Sequence, residues 1–271
     1  MKLAFSTLGC PDWSLREIVA AARGYGYEGI ELRCLGNDMD LLRRPEFQPG
    51  EIGATARYLT EHGLAVCCVD TSCSFHDADE AARRRSIDVA LRYAELAAGL
   101  GAPSIRVFPN EIPAGENRDA VRERIAVGVR NVAERIDNGV SVALETHGDF
   151  AAAEETAAIV RLVDHPATGI VWDVANTTAA GDGIAAAARA VARDLLHVHL
   201  RDAQARPGER FWLPVLTGRG SVPLREAFIA LCELGYRRFV SFEWEKFWHP
   251  EIEEPAVALR DFADAWRAMS R

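Results

Sequence analysis

The sequence predicts an α/β fold: a closed (β/α)8 TIM barrel, eight parallel strands with outer helices, formed by residues 1–271 as one domain. Three observations carry that expectation. A strand-like run followed by an amphipathic segment recurs about every 30 residues, and it does so eight times. The polar residues able to do chemistry gather at the ends of those runs. A length of 271 residues also suits a single barrel, for which about 250 is common.

The strands are expected at 2–8 (KLAFSTL), 29–34 (GIELRC), 65–72 (AVCCVDTS), 104–109 (SIRVFP), 141–147 (SVALETH), 170–174 (IVWDV), 195–201 (LLHVHLR) and 239–245 (FVSFEWE). Each is short and rich in β-branched or aromatic residues. Helical periodicity fills the intervals, at 15–25, 49–62, 78–100, 118–138, 153–164, 183–194 and 223–234, and a last helix at 255–269 closes the chain. Strict alternation of this kind implies parallel strands joined by right-handed crossovers, and eight units close a barrel. The alternative, an open doubly wound sheet, usually carries a glycine-rich phosphate turn after its first strand. Leu8, Gly9, Cys10 and Pro11 lack that spacing. One connection, 202–222, is far longer than the usual two to six residues and is rich in Gly, Pro and Arg. Its place after the seventh strand predicts a loop that folds over the barrel mouth.

Composition excludes several classes. With 49% hydrophobic and 26% charged residues the chain can bury a large core, so disorder is not expected. No apolar run reaches the roughly 18 residues that cross a bilayer, and the start is strand-like, not a basic and apolar leader; a cytoplasmic protein with no membrane partner is expected. The six cysteines form no CxxC pair, which points to reduced thiols and away from a thiolate zinc site. A net charge of −9 supplies no basic stripe for nucleic acid. Association with further copies of the chain stays open.

Alternate positions of a barrel strand face inward, and chemistry sits where that inward face meets the C-terminal end. In the fifth strand, Ser141, Ala143, Glu145 and His147 share the inward face. A carboxylate there costs several kcal/mol unless it is paired or metal-bound. The same holds for Asp173 in IVWDVANT, His199 in LLHVHLRD and Glu243 in FVSFEWE. Three carboxylates and one imidazole at the ends of four consecutive strands make a mixed oxygen and nitrogen donor set for one divalent metal ion: Mn²⁺, Mg²⁺, Co²⁺ or Zn²⁺. The bland reading is that these groups pair with one another or with Arg33 and Arg201.

The succession KLAFSTLG, GYEGIELR, LETHGDF, WDVANT, HVHLRD, TGRGSVPL and SFEWE resembles the xylose isomerase-like superfamily, in particular its sugar phosphate isomerase/epimerase family, along essentially the whole chain. The resemblance implies that Glu145, Asp173, His199 and Glu243 bind one divalent metal, as the inward-face argument also requires. It further implies an isomerase or epimerase of a sugar, sugar acid or polyol, in which Glu145 and Glu243 exchange a proton beside a metal-held carbonyl. Three positions depart from the epimerase branch: Asn176 stands where a His is usual, Ala151 where an acid is usual, and Ala205, beside Arg206, where an Arg is usual. A dehydratase of the inosose or 3-dehydroshikimate type is therefore the alternative on the same site, with a non-catalytic sugar-binding barrel behind it. Endonuclease IV-type repair enzymes need more strand-end histidines than seven allow.

Around the donors, His147 shares the face of Glu145, as a substrate contact or as a histidine of the rim. His197, one layer below His199, is expected to pack or to support the ligands. Ser72 and His76, with Asp70, either bind substrate hydroxyls or cap a loop. Asn176, Arg201, Arg206 and Arg219, like Arg33, sit where a negatively charged polyhydroxylated substrate would be gripped, or where they balance the carboxylates. Glu245 competes with Glu243 for the eighth-strand ligand position, and Trp248 lines the rim or packs.

Overall fold

A computed structural model describes residues 1–206 and 211–271. The strands β1 (Lys2–Ser6), β2 (Gly29–Leu32), β3 (Ala65–Ser74), β4 (Ser104–Phe108), β5 (Ser141–Glu145), β6 (Thr168–Asp173) and β7 (Leu195–Leu200) lie side by side in chain order. Two short strands, β8 (Asp202–Gln204) and β9 (Leu213–Val215), form a separate antiparallel ribbon, and β10 (Phe239–Phe242) closes the barrel between β7 and β1. All neighbours in the barrel are parallel. The expected eight-stranded closed barrel is what the chain forms.

The helices are α1 (Leu15–Tyr25), α2 (Ile52–Glu61), α3 (Glu80–Leu100), α4 (Arg118–Ala133), α5 (Ala153–Val163), α6 (Val174–Ala179), α7 (Ile184–Val191), α8 (Leu224–Glu233) and α9 (Pro255–Met269). Local chemistry explains the well-defined ends. Ser14 and Glu17 cap α1 reciprocally, the Ser14 amide donating to the Glu17 carboxylate at 2.8 Å, and Gly26 stops the helix at φ +84°. Among the described residues no helix is long and apolar enough to cross a membrane. All six cysteines are free thiols, with Cys232 exposed and the rest buried.

Strand register positions the site. Side chains in register share a face of a parallel sheet, and the pairs Glu31 and Cys68, Asp70 and Arg106, Arg106 and Ala143, Asp173 and His199, and His199 and Ser241 form an inward-facing layer of polar groups. The opposite face carries Ile30, Val69, Ile105, Leu144, Trp172, Val198 and Val240, all fully buried under the helices.

Several strands end one to three residues earlier than their β-rich composition predicts, because those residues turn out of the ladder; Thr7–Gly9, for example, is a single 3-10 turn. Besides short 3-10 turns such as Leu41–Arg43 and Pro45–Phe47, a helix and a ribbon fall where no helix or strand is expected. α6 lacks an apolar period and is nucleated by its cap, the Asn176 amide donating to Asp173 Oδ1 at 2.8 Å. The β8–β9 ribbon lies inside the long 202–222 connection, of which 207–210 falls outside the described residues. Its organiser is the buried Asp202 carboxylate, which accepts from the amides of Gly218 at 2.8 Å, Gly220 at 2.9 Å and Val222 at 3.2 Å. A side chain on Gly220 would collide with that carboxylate at 2.2 Å.

Candidate metal centre and active site

Glu145 ends β5, Asp173 ends β6, His199 lies one residue from the end of β7, and Glu243 follows β10 directly. One donor atom from each lies within 4.8 Å of the others, so the four form a group that can hold a metal ion. None is more than 4% exposed. His199 Nδ1 stands 3.3 Å from Glu243 Oε1 and 3.8 Å from Glu145 Oε1. Neither His199 Nδ1 nor Glu145 Oε2 has a hydrogen-bond partner. The other imidazole nitrogen, Nε2, is engaged by Glu31 Oε2 at 3.0 Å, which directs the Nδ1 lone pair toward the carboxylates. A lone pair facing two carboxylates needs a cation or a proton between them. The donor set therefore fits a divalent ion with mixed oxygen and nitrogen ligands.

Two buried arginines hold the carboxylates from opposite ends of the donor row. Arg201 donates from Nη1 to Asp173 Oδ2 and, at 2.6 Å, to Glu243 Oε2, while its Nη2 reaches Asn176 Oδ1 at 3.2 Å and Glu245 Oε1 at 3.3 Å. Arg106 donates from Nη2 to Asp70 Oδ2 at 3.0 Å and from Nη1 to the Thr71 carbonyl at 3.1 Å, and its Nε lies 3.1 Å from Glu145 Oε2. The ring of Phe108 covers its guanidinium at 3.9 Å. Both arginines are thereby committed to protein acceptors.

Negative charge is still in surplus. Among the described residues, Glu31, Asp70, Glu145, Asp173, Glu243 and Glu245 face three arginines, Arg33, Arg106 and Arg201, and the His199 imidazole. Burial pushes Asp70 up to about 7, with Arg106 pulling the other way. Burial likewise raises Asp173 to about 6 against Arg201, and Glu245 to about 7. Burial also acts on Glu145 and Glu243, but the cations beside them win. Arg106 and His199 hold Glu145 below its ordinary value, and His199 and Arg201 hold Glu243 well below. Burial opposes charge on His199, yet Glu243 and Glu31 lift it well above the usual imidazole range. A divalent cation among the donors would offset this surplus directly.

A model of the xylose isomerase-like TIM barrel family matches residues 19–267. The chain belongs to that family. No match was found among curated proteins. Among solved structures, the barrel of this family member is similar to a probable 3-DHS dehydratase, AsbF, involved in petrobactin synthesis in Bacillus anthracis, at 20% identity and TM-score 0.79, covering 98% of this chain and 99% of that one. It is similar to the IolI protein with a bound zinc atom, at 20% identity and TM-score 0.81, covering 98% and 97%. A D-psicose 3-epimerase with D-tagatose from Clostridium cellulolyticum H10 matches at 18% identity and TM-score 0.77, over 98% of each chain.

In this xylose isomerase-like barrel a cavity of about 620 Å³ opens above the donors, and its walls include Arg33, Arg106, Glu145, His147, Asn176, Glu243, Glu245, Phe108, Phe211 and Trp248. His147 is half-buried between Phe108, at 4.7 Å, and Phe211, which stacks on it at 5.4 Å. Burial lowers its pKa, and its Nδ1 has no hydrogen-bond partner. The turn beyond it needs Gly148, at φ +63°, since a Cβ there would meet the Asn110 carbonyl at 2.3 Å. The 202–222 connection thus reaches the mouth through an aromatic ring.

Most of the remaining residues singled out in the sequence lie outside the cavity wall. Arg219 is exposed, 3.7 Å from Glu253, and Arg206 is exposed; neither lines this cavity. Ser72 accepts a 2.8 Å hydrogen bond from Arg33 Nη2. The His76 carbonyl accepts from Arg124 at 2.5 Å, and its ring is not among the cavity walls. His197 donates to Glu31 Oε2 at 2.5 Å, the supporting place expected for it. Trp248 lines the rim and is 56% exposed. The sequence reading passes over Glu31, which joins both histidines, and Arg106, which joins Asp70 to Glu145. Each is an ionic residue inside an apolar strand, the same signal that marks the metal donors.

Proposed function

We propose that this chain is a divalent-metal-dependent isomerase or epimerase of a sugar, sugar acid or related polyol, in which Glu145 and Glu243 move a proton to and from the carbon beside a carbonyl. One observation carries the reading: two buried glutamates lie within 3.8 Å of one imidazole nitrogen that has no hydrogen-bond partner, and both form walls of the same cavity. A Mn²⁺, Mg²⁺, Co²⁺ or Zn²⁺ ion held by Glu145, Asp173, His199 and Glu243 would polarise the carbonyl and offset the negative charge that develops on its oxygen. Arg106 keeps Glu145 ionised and therefore ready to accept a proton. Arg201 fixes Glu243 and Asp173 in one orientation, and Asn176 steadies Arg201. Phe211 and Phe108 shield His147 and the proton path from bulk water.

A dehydratase is the second reading, favoured by His147. Loss of water needs an acid for the departing hydroxyl as well as a base at carbon. His147, kept largely neutral by burial and lacking a partner on Nδ1, stands in the same cavity as the glutamates. Turnover of a panel of keto-sugars, sugar acids and inososes with the Mn²⁺-supplied protein in D₂O, followed by mass spectrometry, separates the readings. An isomer or epimer with deuterium at the exchanged carbon supports the first; a product lighter by one water supports the second. Metal binding without turnover across the panel would contradict both and leave a sugar-binding barrel.

A further inference from the structure

Among the described residues, Arg33 is the one arginine of the cavity wall with no carboxylate in ion-pair contact. It follows β2, is 4% exposed and forms part of the cavity wall. Its backbone amide is tied to Thr7 Oγ1 at 2.9 Å, and its Nη2 donates to Ser72 Oγ at 2.8 Å. Nη1 is buried with no hydrogen-bond partner. Asp70, the carboxylate that acts on it most, is bonded to Arg106 instead. Burial and the neighbouring Arg106 lower Arg33 to about 10, which still leaves it charged at neutral pH. An unpaired buried guanidinium is costly, and such a group is retained where a ligand completes its hydrogen bonds.

We propose that Arg33, oriented by Ser72, is a carboxylate-binding subsite, and that the substrate is a polyhydroxylated carboxylic acid whose carboxylate lies at the β2 edge of the cavity while its reacting carbon faces Glu145 and Glu243. A guanidinium with a free Nη1 matches one monoanion through charge-assisted hydrogen bonds. A phosphate dianion fits less well, because Glu111, Glu145, Glu243 and Glu245 all wall the same cavity and repel a second charge. Arg106, on β4 between β2 and β5 in the strand order, lies against Glu145 and is bonded to Asp70, which leaves Arg33 as the arginine of the β2 edge. The inference names the substrate class of the proposed enzyme and to that extent rests on that reading.

The test uses paired probes on the full-length protein supplied with Mn²⁺: quinate against myo-inositol and D-glucuronate against D-glucose, with D-glucose 6-phosphate as the phosphate probe, each titrated by calorimetry. At least one acid should bind about tenfold or more tightly than its neutral counterpart. Arg33→Met should abolish that preference, weakening the acid about thirtyfold, as expected for truncating a buried charge pair, with the neutral probe within about twofold. Arg33→Gln provides the same comparison if Arg33→Met does not fold. The melting temperature of the ligand-free variant should be no lower than that of the parent, because an unpaired charge has been removed; a merely structural arginine would lower it. The proposal is overturned if neither acid is preferred, if the variant weakens both probes of a pair equally, or if the phosphate binds more tightly than both acids. Elemental analysis of the same samples separates the failures: an acid preference without bound metal contradicts the metal reading alone, and bound metal without an acid preference contradicts the subsite alone.

Discussion

Two arginines follow two strands of this barrel in nearly the same local sequence, Arg33 after Glu31 and Leu32, and Arg201 after His199 and Leu200. Both are 4% exposed. Arg201 has both terminal nitrogens on Asp173, Glu243, Asn176 and Glu245, its Nε alone lacking a hydrogen bond, whereas Arg33 has one serine, no carboxylate and an unpartnered terminal nitrogen. On the β5, β6, β7 and β10 side of the mouth each carboxylate of the donor set thus has an arginine beside it. The β2 edge is open at one charged atom. Burial alone does not distinguish the two arginines; a carboxylate partner, present for Arg201 and absent for Arg33 among the described residues, does. If the proposed roles hold, changes in the framework should act on reaction and folding, and changes at the open group on which ligand is admitted.

The largest effect is expected at the two glutamates proposed to move the proton. Glu145→Gln and Glu243→Gln should each lower kcat by about 10²–10⁴, while the protein still takes up a divalent ion, because an amide oxygen ligates weakly but does not exchange a proton at neutral pH. Stopped-time assays beside elemental analysis check both halves; loss of the ion with little loss of kcat would move these residues from catalysis to metal retention. Next in size is the framework. Arg201→Met leaves Asp173 and Glu243 buried without their cation and should cost about 3–5 kcal/mol in denaturant unfolding, part of it recovered on adding Mn²⁺. A cost below about 1 kcal/mol would show that the framework is not held by this arginine.

Smaller again is the effect of supporting His199. Glu31→Gln should reduce metal affinity about 10–100-fold in a competition with a chelator, since Glu31 Oε2 fixes which imidazole nitrogen points at the carboxylates. Unchanged affinity would remove Glu31 from the centre. The smallest effect is expected in the 202–222 connection, where Asp202→Ala removes an acceptor for the amides of Gly218, Gly220 and Val222 and should lower the melting temperature by several degrees with little change in metal content.

Much of this was legible before any coordinates. α1 and α9 begin and end at the residues their periodicity predicts, because the apolar period agrees with a terminal signal, the Ser14 cap in one case and Pro255 at the first turn in the other. The four metal-type donors stand out because a carboxylate or imidazole in an otherwise apolar strand end contradicts its surroundings. Partners are what a linear sequence hides. Glu31 meets His197 across 166 positions, and Arg106 meets Asp70 across 36. The same blindness makes Arg33, Arg201 and Arg219 look alike, although one has no carboxylate partner, one has carboxylates on its terminal nitrogens and one lies outside the cavity. α6 escapes notice since a side-chain cap, with no apolar face, starts it.

The most direct measurement is the metal content of protein purified without chelator, paired with its melting temperature before and after adding Mn²⁺, Mg²⁺, Co²⁺ or Zn²⁺. The expected result is about one divalent ion per chain, or a rise in melting temperature with at least one of the four ions, either of which is sharply reduced by His199→Ala. Protein that carries no ion and is stabilised by none of the four would contradict a metal centre at Glu145, Asp173, His199 and Glu243.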